Sequence, residues 1–120
     1  MKILFLGDIV GSSGCEAIKK NLPNIIKKKK IDFVIVNGEN AAHDGMGITE
    51  NNMTELLNSG VDVITTGNHV WDKKETYEFI IKQKRLLRPL NLPIGAPGKG
   101  FEIYNSQKGF KVGVLNLMGN

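Results

Sequence analysis

Three short apolar runs, each followed by a segment of different periodicity, constrain this chain more than any other feature of its sequence. The runs cover residues 3–6, 33–36 and 61–66 and are rich in apolar or branched side chains. Runs this short and this apolar are typical of strands buried on both faces. Strands that alternate with helices form a parallel sheet with the helices packed against it. The sequence therefore predicts an α/β fold.

Helical signals fill the segments between and after the runs. Residues 15–30 place apolar side chains at helical spacing, and Pro23 within them predicts a kink or a new helical turn. Thr49 is a suitable N-cap for a second helix, which Gly60 is expected to end. Asp72 with a glutamate three residues later fits a capping box for a third helix. The remaining expected elements are a short strand, a proline-rich turn and two further strands, at residues 86–87, 89–97, 101–104 and 111–117.

Length and composition fit one globular domain, residues 1–120. The chain is 41% hydrophobic and 23% charged, which excludes a disordered composition. Its net charge of +4 suits an anionic substrate without requiring one. The single cysteine, Cys15, cannot form an internal disulfide, so we expect a reducing compartment and a small buried side chain. No secretion signal or membrane span is visible, and the expected location is the cytoplasm.

A polar cluster follows each of the three predicted strands. Asp8 follows the first, Glu39 and Asn40 follow the second, and Asn68 and His69 follow the third. The carboxyl ends of parallel strands meet at one edge of the sheet, which is where open α/β sheets place their sites. Each cluster alone is compatible with an ordinary turn, but three at successive strand ends favour a shared functional site.

The residue types in these clusters suit metal-assisted chemistry on phosphate. Carboxylate and amide oxygens are donors for hard cations, and a carboxylate such as Glu39 can bridge two ions. Two ions can clamp the attacking and leaving oxygens of a phosphoryl displacement and lower the pKa of a bound water. His69 is the side chain whose ordinary pKa suits proton transfer, so it is the candidate acid for the leaving oxygen.

Four motifs carry a resemblance to a known family. They are Gly-Asp-Ile-Val-Gly at 7–11, Asn-Gly-Glu-Asn-Ala-Ala-His at 37–43, Thr-Gly-Asn-His-Val-Trp-Asp at 66–72 and Arg-Pro-Leu-Asn at 88–91. The chain resembles the calcineurin-like metallophosphoesterases over its whole length. It lacks the histidine that usually stands two residues after the first aspartate, and it has Glu39 where aspartate is usual. In both features the chain resembles the YmdB family. That family contains phosphodiesterases acting on cyclic nucleotides, including 2′,3′-cyclic ones.

The resemblance implies a fold, an activity and a set of site residues. The fold would be the N-terminal part of a four-layer α/β/β/α sandwich. The cofactors would be two metal ions, iron first and manganese as the alternative. Asp8 would bind one ion, Glu39 would bridge, Asn40 and Asn68 would bind the second, and His69 would donate the proton.

Two further expectations follow from the same resemblance. The family completes its site with histidines in the second half of a chain about twice this length, whereas the only histidines here are His43 and His69. We therefore expect the sequence to be part of a longer one, and the 120 residues alone to be a poor catalyst. His43, in the glycine-containing loop 43–47, is a candidate phosphate contact or an ordinary surface residue. Arg88 could reach an anionic ligand, but a surface or structural role is favoured for it.

Three alternatives remain open at this point. A non-catalytic binding or assembly subunit would use an exposed sheet edge to associate, with a homo-oligomer as one outcome. A dinucleotide-binding module is disfavoured, because the glycines at 7, 11 and 14 do not have the required spacing. RNA binding through the lysines at 27–30 is also disfavoured, since no aromatic residues interleave them, and no stable nucleic-acid complex is expected.

Overall fold

The computed structural model describes residues 1–119, which form six strands and three helices. In chain order these are β1 (Ile3–Leu6), α1 (Gly11–Lys29), β2 (Phe33–Asn37), α2 (Glu50–Asn58), β3 (Val63–Thr65), α3 (Thr76–Phe79), β4 (Leu86–Leu87), β5 (Phe101–Asn105) and β6 (Lys111–Leu115).

The first four strands form one sheet in the order β1-β2-β3-β4, and every neighbouring pair is parallel. A connection between adjacent parallel strands is almost always right-handed, so a sheet that adds strands in one direction receives its helices on one face. Residues from all three helices indeed share one core cluster with Val34, Val36 and Ile64 of the sheet. The predicted α/β fold with a parallel sheet is confirmed.

The opposite face of the sheet is covered by a ribbon of two antiparallel strands, β5 and β6. Val112 and Val114 of β6 pack in a second, smaller cluster with Phe33, Val63 and Leu87 of the sheet. Neighbouring residues of a strand point to opposite faces, which is why Phe33 contacts the ribbon side while Val34 contacts the helices. Helices, parallel sheet and ribbon form three successive layers.

Helix α1 differs from its prediction in two ways. It begins at Gly11 rather than residue 15 and continues past Pro23 to Lys29 without interruption. Its first turn is formed by small residues that show no apolar periodicity, so the sequence pattern did not reveal it. Pro23 is exposed, so its ring projects into solvent rather than into the core. The helix ends with three lysines and with Lys30 in the left-handed conformation, so cations lie at the negative end of the helix dipole.

Of the N-caps predicted for the other two helices, the structure contains one and lacks the other. Thr49 caps α2, since its hydroxyl accepts a hydrogen bond from the main-chain N–H of Asn52 at 3.1 Å. The capping box predicted for Asp72 is wrong: α3 begins after Glu75, makes no side-chain cap bond and is only four residues long. Instead, α3 is fixed by Thr76, whose buried hydroxyl donates to the carbonyl of Ile48 at 3.0 Å.

Two single residues have the structural roles expected of them. Cys15 is buried in the core, its Sγ lies 3.4 Å from the carbonyl oxygen of Ala41, and burial raises the pKa of its thiol. The Arg88 guanidinium donates to carbonyls of the proline-rich turn, including that of Pro89 at 2.9 Å and that of Ala96 at 3.2 Å. Among residues 1–119, no helix has the length and apolar character that crossing a membrane would require.

Candidate active site at the carboxyl edge of the sheet

Main-chain hydrogen bonds hold together the ends of the first three strands and the loops that follow the first two. The N–H of Ile9 donates to the carbonyl of Asn37 at 2.9 Å, and the N–H of Gly11 donates to that of Asn40 at 2.8 Å. The N–H of Gly38 in turn donates to the main-chain carbonyl of Thr65 at 2.9 Å. The three polar clusters therefore meet at one edge of the sheet, as the parallel topology predicted.

Asp8 occupies a strained position at this edge. Its φ is 23°, one of only two positive values at non-glycine residues within residues 1–119. Its carboxylate is exposed and accepts a hydrogen bond from Asn40 Nδ2 at 2.9 Å. Non-glycine residues in such conformations cost about 1–3 kcal/mol and cluster at functional sites. The observed strain supports a functional hypothesis for Asp8, and the bond with Asn40 leaves the Asn40 amide oxygen available to a ligand.

Glu39 is held on three sides. Asn37 binds it twice, since its Oδ1 accepts from the Glu39 main-chain N–H at 3.1 Å and its Nδ2 donates to Glu39 Oε1 at 3.3 Å. The main-chain N–H of His69 donates to Glu39 Oε2, also at 3.3 Å. The carboxylate thus bridges the loop after β2 and the loop after β3.

Gly67 leaves room for the Glu39 carboxylate. A Cβ at this position would lie 2.6 Å from Glu39 Oε1 and closer still to Oε2. Any side chain there would displace the carboxylate. The first position of the Gly-Asn-His motif therefore requires glycine for steric reasons. The carboxylate is therefore seated against bare backbone on one side, and it lines an open depression of the surface.

Asn68 is exposed and lies with Glu39 on the wall of an open depression. The opposite wall is formed by the chain that follows β6, including Asn116. Asn116 is buried, and its Nδ2 donates to the carbonyls of Thr66 at 2.8 Å and Leu87 at 3.1 Å. These bonds fix the exit of β6 beside the loop that carries Asn68, so the ribbon contributes to the walls of the site.

His69 forms a close pair with Asp72. The Nδ1 atom of His69 lies 2.6 Å from Asp72 Oδ2, and the two side chains are 37% and 35% exposed. The Asp72 carboxylate therefore binds His69 and does not cap a helix. The sequence suggested no partner for His69, although a carboxylate three residues after a histidine in a tight turn is within reach.

His43 lies at a different point of the edge. Its Nδ1 is 2.8 Å from Ser12 Oγ at the start of α1, and the ring is exposed. No hydrogen bond within residues 1–119 joins it to the other candidate residues. Its loop is tied to the His69 loop by an ion pair of 2.6 Å between Lys73 and Asp44, which lowers the pKa of the Asp44 carboxyl. The role of His43 toward substrate stays a prediction.

The donors that meet here fit part of a metal site. They are two carboxylates and two side-chain amides, which are oxygen ligands of the kind that hard cations prefer. Within residues 1–119, no three His, Cys, Asp or Glu side chains come together as a group able to hold an ion. These donors are therefore of a type that suits a metal ion, but they are few. The ligand roles of Asp8, Glu39, Asn40 and Asn68 stay predictions.

Three residues around the site were given no part in it on sequence grounds. Asn37 could have been found, because asparagine two residues before another residue commonly bonds to that residue's N–H. Asp72 was assigned to the wrong partner by its capping pattern. Asn116 gave no signal, because it acts across 50 residues of sequence on the carbonyl of Thr66.

Known proteins are similar to this chain in sequence and in fold. A 2′,3′-cyclic-nucleotide 2′-phosphodiesterase of Bacillus subtilis is 50% identical over 119 residues, which are 99% of this chain and 44% of that protein. Two crystal structures superpose on the whole chain. One is of a hypothetical protein from Thermus thermophilus, with a TM-score of 0.90, 39% identity and 46% of its chain covered. The other is of a phosphatase from Mycoplasma pneumoniae, with a TM-score of 0.89, 37% identity and 43% covered.

The match therefore extends over almost all of this chain and over less than half of each of these relatives. The family described as YmdB-like protein matches residues 4–120, which include the three strand-end clusters. The resemblance noted in the motifs is confirmed, and the chain belongs to the YmdB-like family.

Proposed function

We propose that this chain forms part of the active site of a metal-dependent phosphodiesterase that hydrolyses cyclic nucleotides, of the 2′,3′-cyclic type, or related phosphodiesters. The related Bacillus protein is named for that activity, and the related Mycoplasma protein is described as a phosphatase. Both names indicate chemistry at phosphate. The complete protein, and not residues 1–120 alone, would carry the activity.

One observation carries the proposal: the Glu39 carboxylate is held between two strand-end loops. Asn37 and the His69 main chain fix its position, Gly67 lets it lie directly against the backbone, and it lines the open depression beside Asn68. A carboxylate placed in this way is preorganised to share its two oxygens between ions.

The remaining donors would complete this half of the site. Asp8 would bind one ion, and Asn40 and Asn68 would bind the second, with iron as the expected metal and manganese as the alternative. When bound, the ions would stabilise charge on the phosphodiester oxygens and lower the pKa of the attacking water. His69 would donate a proton to the leaving oxygen from the side where its ring is exposed.

Manganese binding tests the ligand assignment on residues 1–120 directly. Mn²⁺ is paramagnetic, so it broadens the NMR signals of nuclei close to it. We expect broadening centred on residues 8, 39–40 and 67–69, and its loss in Glu39→Gln. Glu16→Gln, the same charge change on the exposed surface of α1, should keep the broadening. Broadening centred elsewhere, or unchanged in Glu39→Gln, would contradict the assignment.

Turnover tests the activity in the complete protein. Glu39→Gln and Asp8→Asn are expected to lower metal-dependent hydrolysis of a 2′,3′-cyclic nucleotide by about 100-fold or more, because each removes a charged ligand that the ions need. The Glu16→Gln control should retain normal rates. Full activity in either site variant would refute the assigned roles.

A second candidate is a non-catalytic assembly subunit, and the outer face of the ribbon favours it. Phe101, Ile103 and Leu115 are about half exposed on that face, and Phe5 of the edge strand β1 is 61% exposed. Exposed apolar residues grouped in this way are typical of interaction surfaces. Sedimentation analysis showing a stable homo-oligomer, together with no turnover in any metal, would place this candidate first.

A further inference from the structure

The pair of His69 and Asp72 has no structural task that accounts for it. Its two atoms lie 2.6 Å apart, yet about a third of each side chain is exposed. Exposed ion pairs contribute little to stability, because water and side-chain entropy offset the attraction. Asp72 also caps no helix, since α3 begins three residues later without a side-chain cap bond. The pair therefore needs another explanation.

Asp72 is held firmly enough to orient a neighbour. Its main-chain N–H donates to the carbonyl of His69 at 3.1 Å, which closes the turn between them. Gly47, with φ of 77°, lies against it, and a Cβ on that glycine would be 3.2 Å from the Asp72 Cβ. The next residue, Lys73, is bound to Asp44 at 2.6 Å. Two loops thus hold the main chain and Cβ of Asp72, from which the carboxylate reaches His69.

His69 is in turn fixed to the candidate metal site. Its main-chain N–H donates to Glu39 Oε2, so the histidine backbone moves with the carboxylate assigned as the bridge. Its ring binds Asp72 through Nδ1. Within residues 1–119, no hydrogen bond is made to the other ring nitrogen, Nε2, which is left for a ligand.

We propose that Asp72 is a positioning residue that keeps the proton of His69 on Nδ1 and leaves Nε2 as the nitrogen that serves the leaving group. An ionised carboxylate can only accept a hydrogen bond, so its partner nitrogen must carry a proton. The hydrogen bond at one ring nitrogen determines the state of the other. This role rests on the proposed phosphodiesterase function, but the tautomer itself does not.

The assignment fits the balance of the reaction. A water oxygen forms a new P–O bond and releases one proton to the solvent, while the bond to the leaving oxygen breaks and that electron pair stays on the leaving oxygen. The leaving oxygen takes the proton from Nε2 of the doubly protonated ring. The ring becomes neutral with its remaining proton on Nδ1, which is the form that Asp72 stabilises. No other oxidant, reductant or co-reactant is needed.

The tautomer can be read by NMR on residues 1–120. Long-range proton–nitrogen correlations distinguish a protonated ring nitrogen from an unprotonated one, and the chain has only His43 and His69 to assign. At a pH where both rings are neutral, we expect His69 to carry its proton on Nδ1. In Asp72→Asn the Nε2-protonated form, which predominates in free histidine, should become the major one. The His43 signals should not change.

A matched variant controls for indirect effects. Ser12→Ala removes the partner of His43 and is expected to alter the His43 signals alone. Asp72→Glu keeps a carboxylate and should restore part of the Nδ1-protonated population. An Nε2-protonated His69 in the parent chain, or an unchanged tautomer in a folded Asp72→Asn chain, would overturn the proposal.

Leaving-group dependence tests the role in the complete protein. Asp72→Asn should lower kcat for a 2′,3′-cyclic nucleotide about 10- to 100-fold with little change in KM, since a poor leaving group needs the proton. With bis(4-nitrophenyl) phosphate the loss should be under about 3-fold, because 4-nitrophenolate leaves without protonation. Equal losses on both substrates would refute a positioning role. If the parent protein hydrolyses neither substrate, the proposed function fails while the tautomer measurement still decides the state of His69.

Discussion

The two faces of the parallel sheet are covered to very different extents. On one face, helices α1, α2 and α3 bury a large continuous core that includes Leu22 and Leu56. On the other, the ribbon of β5 and β6 covers the side of β2, β3 and β4 with a cluster of only five buried residues. The helix face is closed within residues 1–119, whereas the ribbon face is closed only in part.

The difference shows which apolar surface of this chain stays exposed to solvent. Ile3 and Phe5 of β1 pair with Phe33 and Ile35 of β2, so their side chains point to the ribbon face. They are 46% and 61% exposed, because the ribbon does not extend over them. The outward side of the ribbon is also apolar, as at Ile103. The helix face is therefore expected to determine the stability of the chain, and the ribbon face its association with other polypeptide.

The largest effect should come from the core of the helix face. Leu22 of α1 is 1% exposed, and truncation to alanine leaves a cavity that costs about 3 kcal/mol of unfolding free energy. Ile25 lies on the same helix but is 38% exposed, and Ile25→Ala should cost less than about 1 kcal/mol. Urea unfolding followed by circular dichroism would measure both. Similar losses in the two variants would contradict a closed helix-face core.

A direct comparison of the faces is possible on strand β4. Leu86 and Leu87 are adjacent and fully buried, but Leu86 belongs to the helix-face cluster and Leu87 to the ribbon-face cluster. We expect Leu86→Ala to cost about 3 kcal/mol and Leu87→Ala about 2 kcal/mol, because the smaller cluster can collapse more readily around a cavity. Equal unfolding free energies, or a larger loss for Leu87→Ala, would reverse the ranking of the two faces.

The attachment of the ribbon should weaken at high pH. Tyr104 of β5 contacts the ring of Phe33, its hydroxyl donates to the carbonyl of Lys84, and burial raises its pKa to about 12. An unfolded tyrosine ionises near pH 10. Between these values the unfolded chain binds fewer protons than the folded one, so the unfolding free energy falls as pH rises.

The matched variant for this pH effect is Tyr104→Phe, which keeps the ring and removes the ionising group. Its unfolding free energy should depend less steeply on pH between about 10 and 12 than that of the parent chain. Urea titrations at pH 9 and pH 11 would measure the difference. The same pH dependence in both chains would show that the Tyr104 hydroxyl does not hold the ribbon in place.

The smallest effect on stability is expected on the outer side of the ribbon. Ile103 is 56% exposed, so Ile103→Thr should change the unfolding free energy by about 0.5 kcal/mol or less while lowering self-association. Sedimentation velocity over a range of concentrations would measure the association. As a control, Thr54→Ile adds an apolar side chain at an exposed site of α2, on the other face of the sheet. Unchanged association in Ile103→Thr would exclude this face from the contact.

The sequence by itself determined the elements of the sheet and the edge at which the polar residues meet. Apolar runs and helical spacing are local patterns, and parallel strands must bring their carboxyl ends to one side, so Asp8, Glu39 and His69 could be grouped without coordinates. Where local patterns were weak, prediction failed. The small residues at the start of α1 show no periodicity, and the short α3 lacks the cap that its sequence suggested.

The tertiary structure alone decided which groups act on one another. Gly67 accommodates the carboxylate of Glu39 because β2 and β3 are neighbours, and the fit depends on fractions of an ångström that no sequence pattern records. Asp72 packs against Gly47 and binds His69 instead of capping a helix, and its contact with Gly47 joins segments that are brought together only by the fold. The unequal cover of the two sheet faces is likewise a tertiary result. Local free energies select strands and helices, whereas the packing between loops determines the partners of each polar side chain.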